Sequence, residues 1–303
     1  MERPSYLALF RSGGLQKRID QCNELLKSCR VCPRCCGVDR SIENIGFCRT
    51  GSKAVVSSYG PHFGEEPPLV GRKGSGTIFF SGCNLGCQFC QNWDISQRIS
   101  GEKVDAIRLS DIMMSIQGFG CHNLNLVSPT HVVPQILEAL ELACMKGFEL
   151  PIVYNTGGYD SLDTLRLLDG IIDIYMPDMK YSDPAKGSRY SLVDDYPEVN
   201  LSAVKEMHRQ VGDLTIDDDG VAMRGLLVRH LVLPNDIAGT SSIMRFLADE
   251  VSMDTYVNIM AQYRPEYKAM ECDGLERRPT REEYLRAGKA ARDAGLMRFD
   301  RTY

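Results

Sequence analysis

The sequence predicts an α/β protein built around a parallel β-sheet, and three observations support this fold class. From Gly74 onward, short apolar runs alternate with segments of helical periodicity. The apolar runs are nearly continuous, as expected for strands buried on both faces of a parallel sheet. The length of 303 residues suits one large barrel-like domain or two smaller domains. The pattern leaves open whether the sheet is open or closed.

Six strands and their intervening helices follow one another along the chain. The predicted strands cover residues 77–81, 125–127, 151–154, 171–176, 226–233 and 256–260. Helices are predicted over residues 15–29, 110–117, 132–146, 162–168, 199–210, 242–251 and 281–294. The last helix begins with a capping box, in which Thr280 is the N-cap and Glu283 lies three residues later. Residues 217–220 are predicted to form a hairpin tip before the fifth strand.

Three segments are expected along the chain. Residues 1–70 form a cysteine-rich N-terminal extension, residues 71–270 carry the alternating strands and helices, and residues 271–303 form a C-terminal helical tail. Gly60-Pro61 and Pro67-Pro68 predict a loop that connects the first two segments.

Composition and charge exclude several classes of protein. Apolar residues at 43% and charged residues at 25% are typical of globular proteins, which argues against disorder. A net charge of -5 argues against a nucleic-acid partner. No apolar run approaches the roughly 18 residues of a membrane-spanning helix, so no membrane association is expected. The apolar stretch at residues 6–10 is too short for a secretory signal, and a cytoplasmic location is therefore expected.

Cysteine is the unusual residue type. Nine of the 12 cysteines lie in the first 90 residues, and such clustering in a cytosolic chain favours metal or Fe–S ligation over disulfides. The other three, Cys121, Cys144 and Cys272, are predicted to be small buried hydrophobic residues.

Cys83, Cys87 and Cys90 form a C-x3-C-x2-C motif directly after the first predicted strand. Three thiolates on a tight loop can hold three irons of a cubane cluster and leave the fourth iron open to a small molecule. Zinc is the alternative metal, but structural zinc takes four ligands, and catalytic zinc usually draws on histidine or carboxylate ligands that this loop lacks. The glycines before and between the cysteines, Gly82 and Gly86, argue against a purely structural role for the three cysteines.

This motif, with Phe89 just before its last cysteine, resembles that of the radical S-adenosylmethionine (SAM) superfamily. Several segments together resemble the pyruvate formate-lyase activating enzyme-like group: GSGTIFFSGCNLGCQFCQN, VSPTHVVP, YNTGGYDS, DIYMPDMKY, RGLLVRHLVLPN and TYVNIMAQYRP. Within that group, CPRCCGVDR at residues 32–40 is similar to the branch with an N-terminal CPRxCGVxR segment. The resemblance implies a partial (β/α)6 TIM-type barrel.

The resemblance also implies a chemistry. A 4Fe-4S cluster on the three cysteines would bind the amine and carboxylate of S-adenosylmethionine, and one electron would cleave the sulfonium. The resulting 5'-deoxyadenosyl radical would abstract a hydrogen atom from the substrate. A flavodoxin- or ferredoxin-type donor in an anaerobic setting is implied. The substrate would be a glycine of a glycyl radical enzyme, another peptide or a small molecule. A cluster-binding sensor or interaction protein without turnover is the alternative from another class.

Individual site residues follow from the resemblance. Phe89 is implied to lie near the adenine of the cofactor. Ser128, Thr130 and His131, after the second strand, stand where the family has a Gly-Gly-Glu segment that contacts the methionyl amine. This sequence lacks those two glycines and the acid, so one of the three side chains would have to substitute.

The resemblance assigns further residues to the ends of later strands. Asn155 and Thr156 match an Asp-Thr pair that, with Met176 and Asp178, lines a small cation site near the cofactor carboxylate. Asn155 removes one negative charge from that site, and hard cations prefer carboxylates. Two residues, Asp178 and Lys180, are implied to lie beside the substrate as the candidate catalytic residues.

Arg229 is implied to pair with the cofactor carboxylate. It lies inside an apolar strand, and a buried arginine requires an anion. This argument does not depend on the resemblance.

A second group of cysteines precedes the first motif. Cys29, Cys32, Cys36 and Cys48 supply four thiolates on a compact segment, with Cys35 as an alternative to Cys36. Four cysteines suit structural zinc or an auxiliary Fe–S cluster, and free thiols are the other interpretation. Nearby arginines would offset the thiolate charge: Arg30, Arg34, Arg40 and Arg49.

Overall fold

A computed structural model describes residues 4–299. Its strands are β1 (Ala54–His62), β2 (Ser75–Phe80), β3 (Glu102–Val104), β4 (Leu124–Val127), β5 (Ile152–Thr156), β6 (Ile174–Pro177), β7 (Thr215–Ile216), β8 (Ala222–Leu231) and β9 (Tyr256–Met260). Its helices are α1 (Tyr6–Arg11), α2 (Gly14–Lys27), α3 (Pro67–Val70), α4 (Trp93–Ser96), α5 (Ala106–Gly118), α6 (Val133–Met145), α7 (Leu162–Leu167), α8 (Pro184–Ser191), α9 (Tyr196–Val211), α10 (Thr240–Phe246) and α11 (Arg281–Asp293). None of these helices has both the length and the hydropathy that a transmembrane segment requires.

The predicted α/β fold with a parallel sheet is confirmed. Strands β2, β4, β5, β6, β8 and β9 are consecutive parallel neighbours and correspond to the six predicted strands. Within the described residues the two outer members, β2 and β9, do not pair with each other, so the parallel sheet is a partial barrel. A bridge from Phe299 to Val257 covers part of the outer edge of β9.

Three antiparallel strands extend this sheet. Strand β1 pairs with β2 and β3, and β7 forms a hairpin with β8. The tip of that hairpin is closed by the Asp217 N–H, which donates to the Val221 carbonyl at 2.9 Å, so the turn predicted for residues 217–220 is confirmed.

The loop predicted around Gly60-Pro61 is wrong, because both residues lie inside β1. Strand β3 pairs only with Ala54 to Val56 of β1, so within residues 4–299 no strand pairs with the outer edge of β1 at Pro61, where the missing proline N–H costs no ladder bond. The sheet therefore begins before residue 71, inside the segment expected to be an extension.

Helices cover the outer face of the sheet and form the main core with it. Along β4, Leu124 and Leu126 pack into that core. The alternate residues, Asn125 and Val127, consequently face the barrel interior. Helix α2 of the N-terminal extension packs on α6 and α7 and contributes Leu15 to the same core.

Helix α3 fills the lower part of the barrel interior. Its Leu69 is fully buried in an apolar cluster with interior residues of β5, β6 and β8: Val153, Ile174, Met176 and Leu227. Because Glu65 and Glu66 immediately precede α3, this short helix carries both carboxyl groups into the barrel.

The predicted capping box of α11 is confirmed. The Glu283 carboxylate accepts hydrogen bonds from the Thr280 N–H at 2.7 Å and the Asn235 N–H at 2.8 Å, and it pairs with Arg277 at 2.8 Å. Arg277 and these N–H groups hold the pKa of Glu283 well below its ordinary value of 4.5. The stabilisation is therefore complete above pH 4.5 and is lost as the pH falls toward the folded pKa.

Glu283→Gln is expected to lower the free energy of unfolding by about 2 kcal/mol at pH 7, because three charge-assisted contacts are lost. The difference from wild type should narrow between pH 4.5 and 3. Urea unfolding across this range measures it, with the exposed neighbour Glu282→Gln as the control. A difference that is constant with pH would contradict the ionic origin of the effect.

Candidate active site

The carboxyl ends of the parallel strands meet at one edge of the partial barrel, where barrel proteins place their chemistry. A cavity of about 220 Å³ lies there. Ten of the residues predicted from the sequence line it: Cys83, Cys87, Phe89, Cys90, Ser128, Asn155, Thr156, Asp178, Lys180 and Arg229. These residues come from five different strand ends and are far apart in sequence, so the fold itself brings them together.

The three cysteines of the loop after β2 are free thiols. Ser191 Oγ of α8 lies 3.0 Å from Cys87 Sγ, and Ser96 Oγ of α4 lies 3.2 Å from Cys90 Sγ. The N–H of Leu85 donates to Cys83 Sγ at 3.3 Å. Each sulfur therefore has a polar neighbour that can stabilise a thiolate.

Burial and the neighbouring thiols raise the pKa of Cys83 to about 12, and burial also raises the pKa of Cys87. Lys180 opposes both shifts. Thiols of this kind become ligands only when a cation replaces their protons. Three soft sulfur donors facing one cavity fit an Fe–S cluster.

No three His, Cys, Asp or Glu side chains within residues 4–299 stand close enough together to hold a single metal ion. A cubane cluster does not need that spacing, because each of its cysteine ligands binds a different iron.

Asp178 joins two cations at the cavity wall. Arg229 donates to Asp178 Oδ1 at 2.9 Å, and Lys180 Nζ donates to Asp178 Oδ2 at 2.5 Å. The Asp178 and Lys180 side chains are only 16% and 17% exposed, so this is not a surface ion pair. Burial would raise the pKa of Asp178, but Arg229 and Lys180 outweigh it and the pKa is lowered. Asp178 is thus the anion that the largely buried Arg229, 20% exposed, requires.

Phe89 is buried against the cavity. Its ring packs edge-on against Tyr181 and Tyr263, with centroid distances of 6.4 and 5.8 Å. Its position fits a flat apolar wall for a ring system.

The three residues after β4 are placed differently from one another. Ser128 lines the cavity with a left-handed backbone conformation, φ 57°. Thr130 is buried and donates to Asp160 Oδ1 at 2.7 Å. His131 is buried, its Nε2 lies 3.0 Å from the Ser81 carbonyl oxygen, and burial lowers its pKa to about 4. Of the three, only Ser128 faces the cavity.

Asp160 fixes the end of β5 beside the cavity. Thr156 donates to Asp160 Oδ2 at 2.6 Å, and the Tyr154 hydroxyl donates to Oδ1 at 2.9 Å. Asn155 and Thr156 line the cavity, whereas the Met176 side chain lies below it in the apolar cluster of α3.

Two carboxyl groups that the sequence analysis did not identify also approach Arg229. Glu65 Oε2 lies 4.0 Å from Arg229 Nη1, and Glu66 Oε1 lies 4.0 Å from Arg229 Nε. Asn258 of β9 donates to Glu66 Oε1 at 3.0 Å. Asn258 carries the same signal that marked Arg229, since it is a polar residue in an apolar strand.

The second cysteine group lies beside the first. Cys29, Cys32 and Cys48 are buried, and Cys36 is exposed. Burial raises the pKa of Cys32 to about 12, and the other three thiols of the group add to this shift, which places all four near one another. Buried Arg40 donates to Cys29 Sγ at 3.7 Å.

Close packing connects the two cysteine groups. Arg34 donates to the Asn84 carbonyl at 2.7 Å, inside the first cysteine loop. Gly82 has φ 87°, and a Cβ added there would lie 2.6 Å from the Cys48 carbonyl oxygen. The N-terminal segment therefore supports the loop that carries Cys83.

A partial parallel barrel with a three-cysteine loop at the carboxyl edge of its first parallel strand is the architecture of an Fe–S-dependent barrel protein. Residues 77–225 match the family model described as the radical SAM superfamily. The chain carries a radical SAM superfamily domain over these residues.

The chain is similar to one sequence relative and to one solved structure. The chain is 33% identical over 292 residues to "Uncharacterized protein MJ0674" of Methanocaldococcus jannaschii, covering 93% of this chain and 79% of that protein. It is also similar to the structure described as "Crystal structure of methylornithine synthase (PylB)", with a TM-score of 0.45 and 14% identity over 96% of this chain and 73% of that one. This second similarity is too low to bear on substrate.

Proposed function

We propose that this protein is an enzyme that cleaves S-adenosylmethionine reductively at a 4Fe-4S cluster and abstracts a hydrogen atom from its substrate. The observation that carries the proposal is the convergence of three free thiols with the Arg229–Asp178–Lys180 group on one cavity. When bound, the cluster and S-adenosylmethionine supply one-electron cleavage to methionine and a 5'-deoxyadenosyl radical.

The chain's own residues bind and orient the cofactor in this proposal. Cys83, Cys87 and Cys90 hold the cluster. Arg229 offers a guanidinium to the methionyl carboxylate, a match of fork and carboxylate that favours arginine. Asp178 keeps Arg229 and Lys180 in place, at 2.9 and 2.5 Å.

Further roles concern the rest of the cofactor. Phe89 is the proposed wall for the adenine, and Ser128, Asn155 and Thr156 offer hydroxyl and amide groups at the strand ends. Apolar side chains complete the lining and exclude water from reactive species: Val127, Leu231, Leu233 and Met260.

The substrate is proposed to enter through an adjoining cleft of about 860 Å³. Gln91, Met260 and Gln262 line both the cleft and the cofactor cavity, so the two adjoin each other. A cleft of this size can admit a small molecule or a loop of a partner protein. Activation of a glycyl radical enzyme is therefore the second candidate function. A flavodoxin- or ferredoxin-type protein is the proposed electron donor for either candidate function.

Anaerobically reconstituted, dithionite-reduced protein is expected to convert S-adenosylmethionine into equal amounts of 5'-deoxyadenosine and methionine. Chromatography of the quenched reaction measures both products, and the same reaction without reductant is the control. Cluster-loaded protein that makes neither product would favour a sensor or interaction protein without turnover. A glycine-centred radical signal in electron paramagnetic resonance, formed on an added partner enzyme, would identify the second candidate function.

We also propose a second metal centre on Cys29, Cys32, Cys36 and Cys48. Three of these thiols are buried without a disulfide, and the pKa of Cys32 responds to the other three. Arg40 is only 1% exposed, and its Nε has no hydrogen-bond partner among the described residues, which fits a neighbouring anionic thiolate centre.

Replacing these four cysteines by alanine is expected to remove one metal centre while the iron of the Cys83 loop is retained. Metal and sulfide analysis measures the loss. Loss of iron with sulfide is the expected result, because a cluster does not need its thiols within reach of one ion. Loss of about one zinc would instead mean that these thiols draw closer together than they stand in this structure. Equal metal content in the variant and wild type would overturn this second site.

A further inference from the structure

A polar layer lies inside the barrel next to the cofactor cavity, at a depth where barrel interiors are usually filled by apolar side chains. Asn125, Arg229 and Asn258 enter it from β4, β8 and β9. Glu65 and Glu66 enter it from the segment that precedes α3. Burying polar groups is costly unless each has a hydrogen-bond partner.

Several atoms of this layer lack partners. Glu66 is 5% exposed, and its Oε1 accepts from Asn258, but its Oε2 has no hydrogen-bond partner among the described residues. Asn125 is fully buried, and neither atom of its amide has a hydrogen bond of normal geometry within residues 4–299, although the amide is near enough to Glu65 to lower the pKa of that carboxyl. Each unpaired buried group of this kind costs about 1–3 kcal/mol. The unpaired acceptors, Glu66 Oε2 and Asn125 Oδ1, can each accept a hydrogen bond from a bound donor.

The charges of the layer define the donor further. Arg229 is bound to Asp178 at 2.9 Å, whereas both glutamates stand 4.0 Å from it. Asp178, Glu65 and Glu66 provide three acidic groups against the two cations Arg229 and Lys180. Burial first, and the neighbouring Glu66, raise the pKa of Glu65 to about 7, although Arg229 opposes the shift. A ligand with one positive charge and several N–H donors would balance this group.

The layer is accessible from the substrate side. Glu65, Glu66 and Asn258 line the cleft of about 860 Å³, which shares Gln91 and Gln262 with the cofactor cavity. A group held by the two glutamates would therefore lie next to the position from which hydrogen is abstracted.

We propose that Glu65 and Glu66, with the amides of Asn125 and Asn258, bind a protonated amine of a small-molecule substrate. The inference rests on the proposed function and deepens it, because it specifies the chemical class of the substrate. Glu65 and Glu66 are binding residues in this proposal. Arg229 and Lys180 stay with Asp178 and the cofactor.

The first test follows 5'-deoxyadenosine formation in the reduced holoenzyme. The added probes are a metabolite extract split by ion exchange into cationic, neutral and anionic fractions, and a separate protein fraction. The cationic fraction is expected to raise the rate of 5'-deoxyadenosine formation by the wild type above its rate without any added fraction. In Glu66→Gln the same increase, measured against that variant's own rate without an added fraction, should be about tenfold smaller, because a charge-assisted contact is lost. Exposed Glu24→Gln is the matched control and should respond like wild type.

The outcomes separate this proposal from the proposed function. Uncoupled cleavage without stimulation by the cationic fraction overturns the amine site and leaves the enzyme class intact. Stimulation by the protein fraction alone points to a protein substrate and also overturns it. A Glu66→Gln variant that the cationic fraction stimulates as strongly as wild type also overturns the amine site. Absence of 5'-deoxyadenosine in every reaction overturns both proposals.

A second measurement does not depend on activity. At equal ionic strength, n-butylammonium chloride is expected to raise the Tm of reconstituted wild type by a few degrees relative to sodium chloride, because it binds only the folded state. Glu65→Gln and Glu66→Gln should lose this shift, and Glu24→Gln should keep it. Equal shifts in all four proteins would count against the site, as would no shift in wild type.

Discussion

Replacing Cys83, Cys87 and Cys90 together by alanine is expected to remove about four irons per chain and to abolish 5'-deoxyadenosine formation. The three thiols face one cavity with Ser96 and Ser191 beside them, and the fold places no other cysteine in its lining. Iron and sulfide analysis of anaerobically purified protein, together with visible absorption, measures the loss. Activity should fall below the detection limit, since the cluster supplies the electron.

The matched control replaces three other cysteines that lie outside the cavity: Cys121, Cys144 and Cys272. This variant should keep its iron and its activity. Retention of all iron in the Cys83/Cys87/Cys90 variant would mean that the cluster is elsewhere, and the proposed mechanism would fail.

Arg229→Gln is expected to have the largest effect on stability of any single substitution at the site, about 3 kcal/mol. The side chain is 20% exposed, and it is the cation that faces Asp178, Glu65 and Glu66 together. Without Arg229, the negative charge of Glu65 and Glu66 inside the barrel has no facing cation. Affinity for S-adenosylmethionine should also fall by about tenfold or more, because the proposed partner of its carboxylate is removed. Urea unfolding and equilibrium dialysis measure the two effects.

Arg209→Gln is the control for Arg229→Gln. Arg209 also bridges two carboxylates, Asp169 and Glu206, but its side chain is 56% exposed, so its replacement should have little effect on the free energy of unfolding. Adding Glu66→Gln to Arg229→Gln should recover part of the lost stability, because one uncompensated charge is removed. Equal losses in the two arginine variants would show that the interior of the barrel is well hydrated.

Much of the fold could be predicted because its central strands are buried on both faces. Each apolar run from 77–81 to 256–260 corresponds to one parallel strand, and the last one matches β9, Tyr256–Met260. The Thr280–Glu283 capping box is local in sequence, and its hydrogen bonds form as predicted. Local patterns thus located the scaffold and the cysteine loop.

What could not be predicted depends on contacts between distant segments. Strand β1 contains Gly60 and Pro61, which are typical turn residues, and only its pairing with β2 makes it a strand. Glu65 and Glu66 read as polar loop residues, since nothing local indicates that α3 enters the barrel. The same holds for His131, which packs against Ser81 instead of facing the cavity.

The contact between Gly82 and the Cys48 carbonyl has a consequence for variants of the N-terminal segment. Because a Cβ at position 82 would lie 2.6 Å from that carbonyl oxygen, the loop that carries Cys83 and the backbone at Cys48 are in direct contact. A substitution that displaces the backbone at Cys48 is therefore expected to displace the Cys83 loop as well.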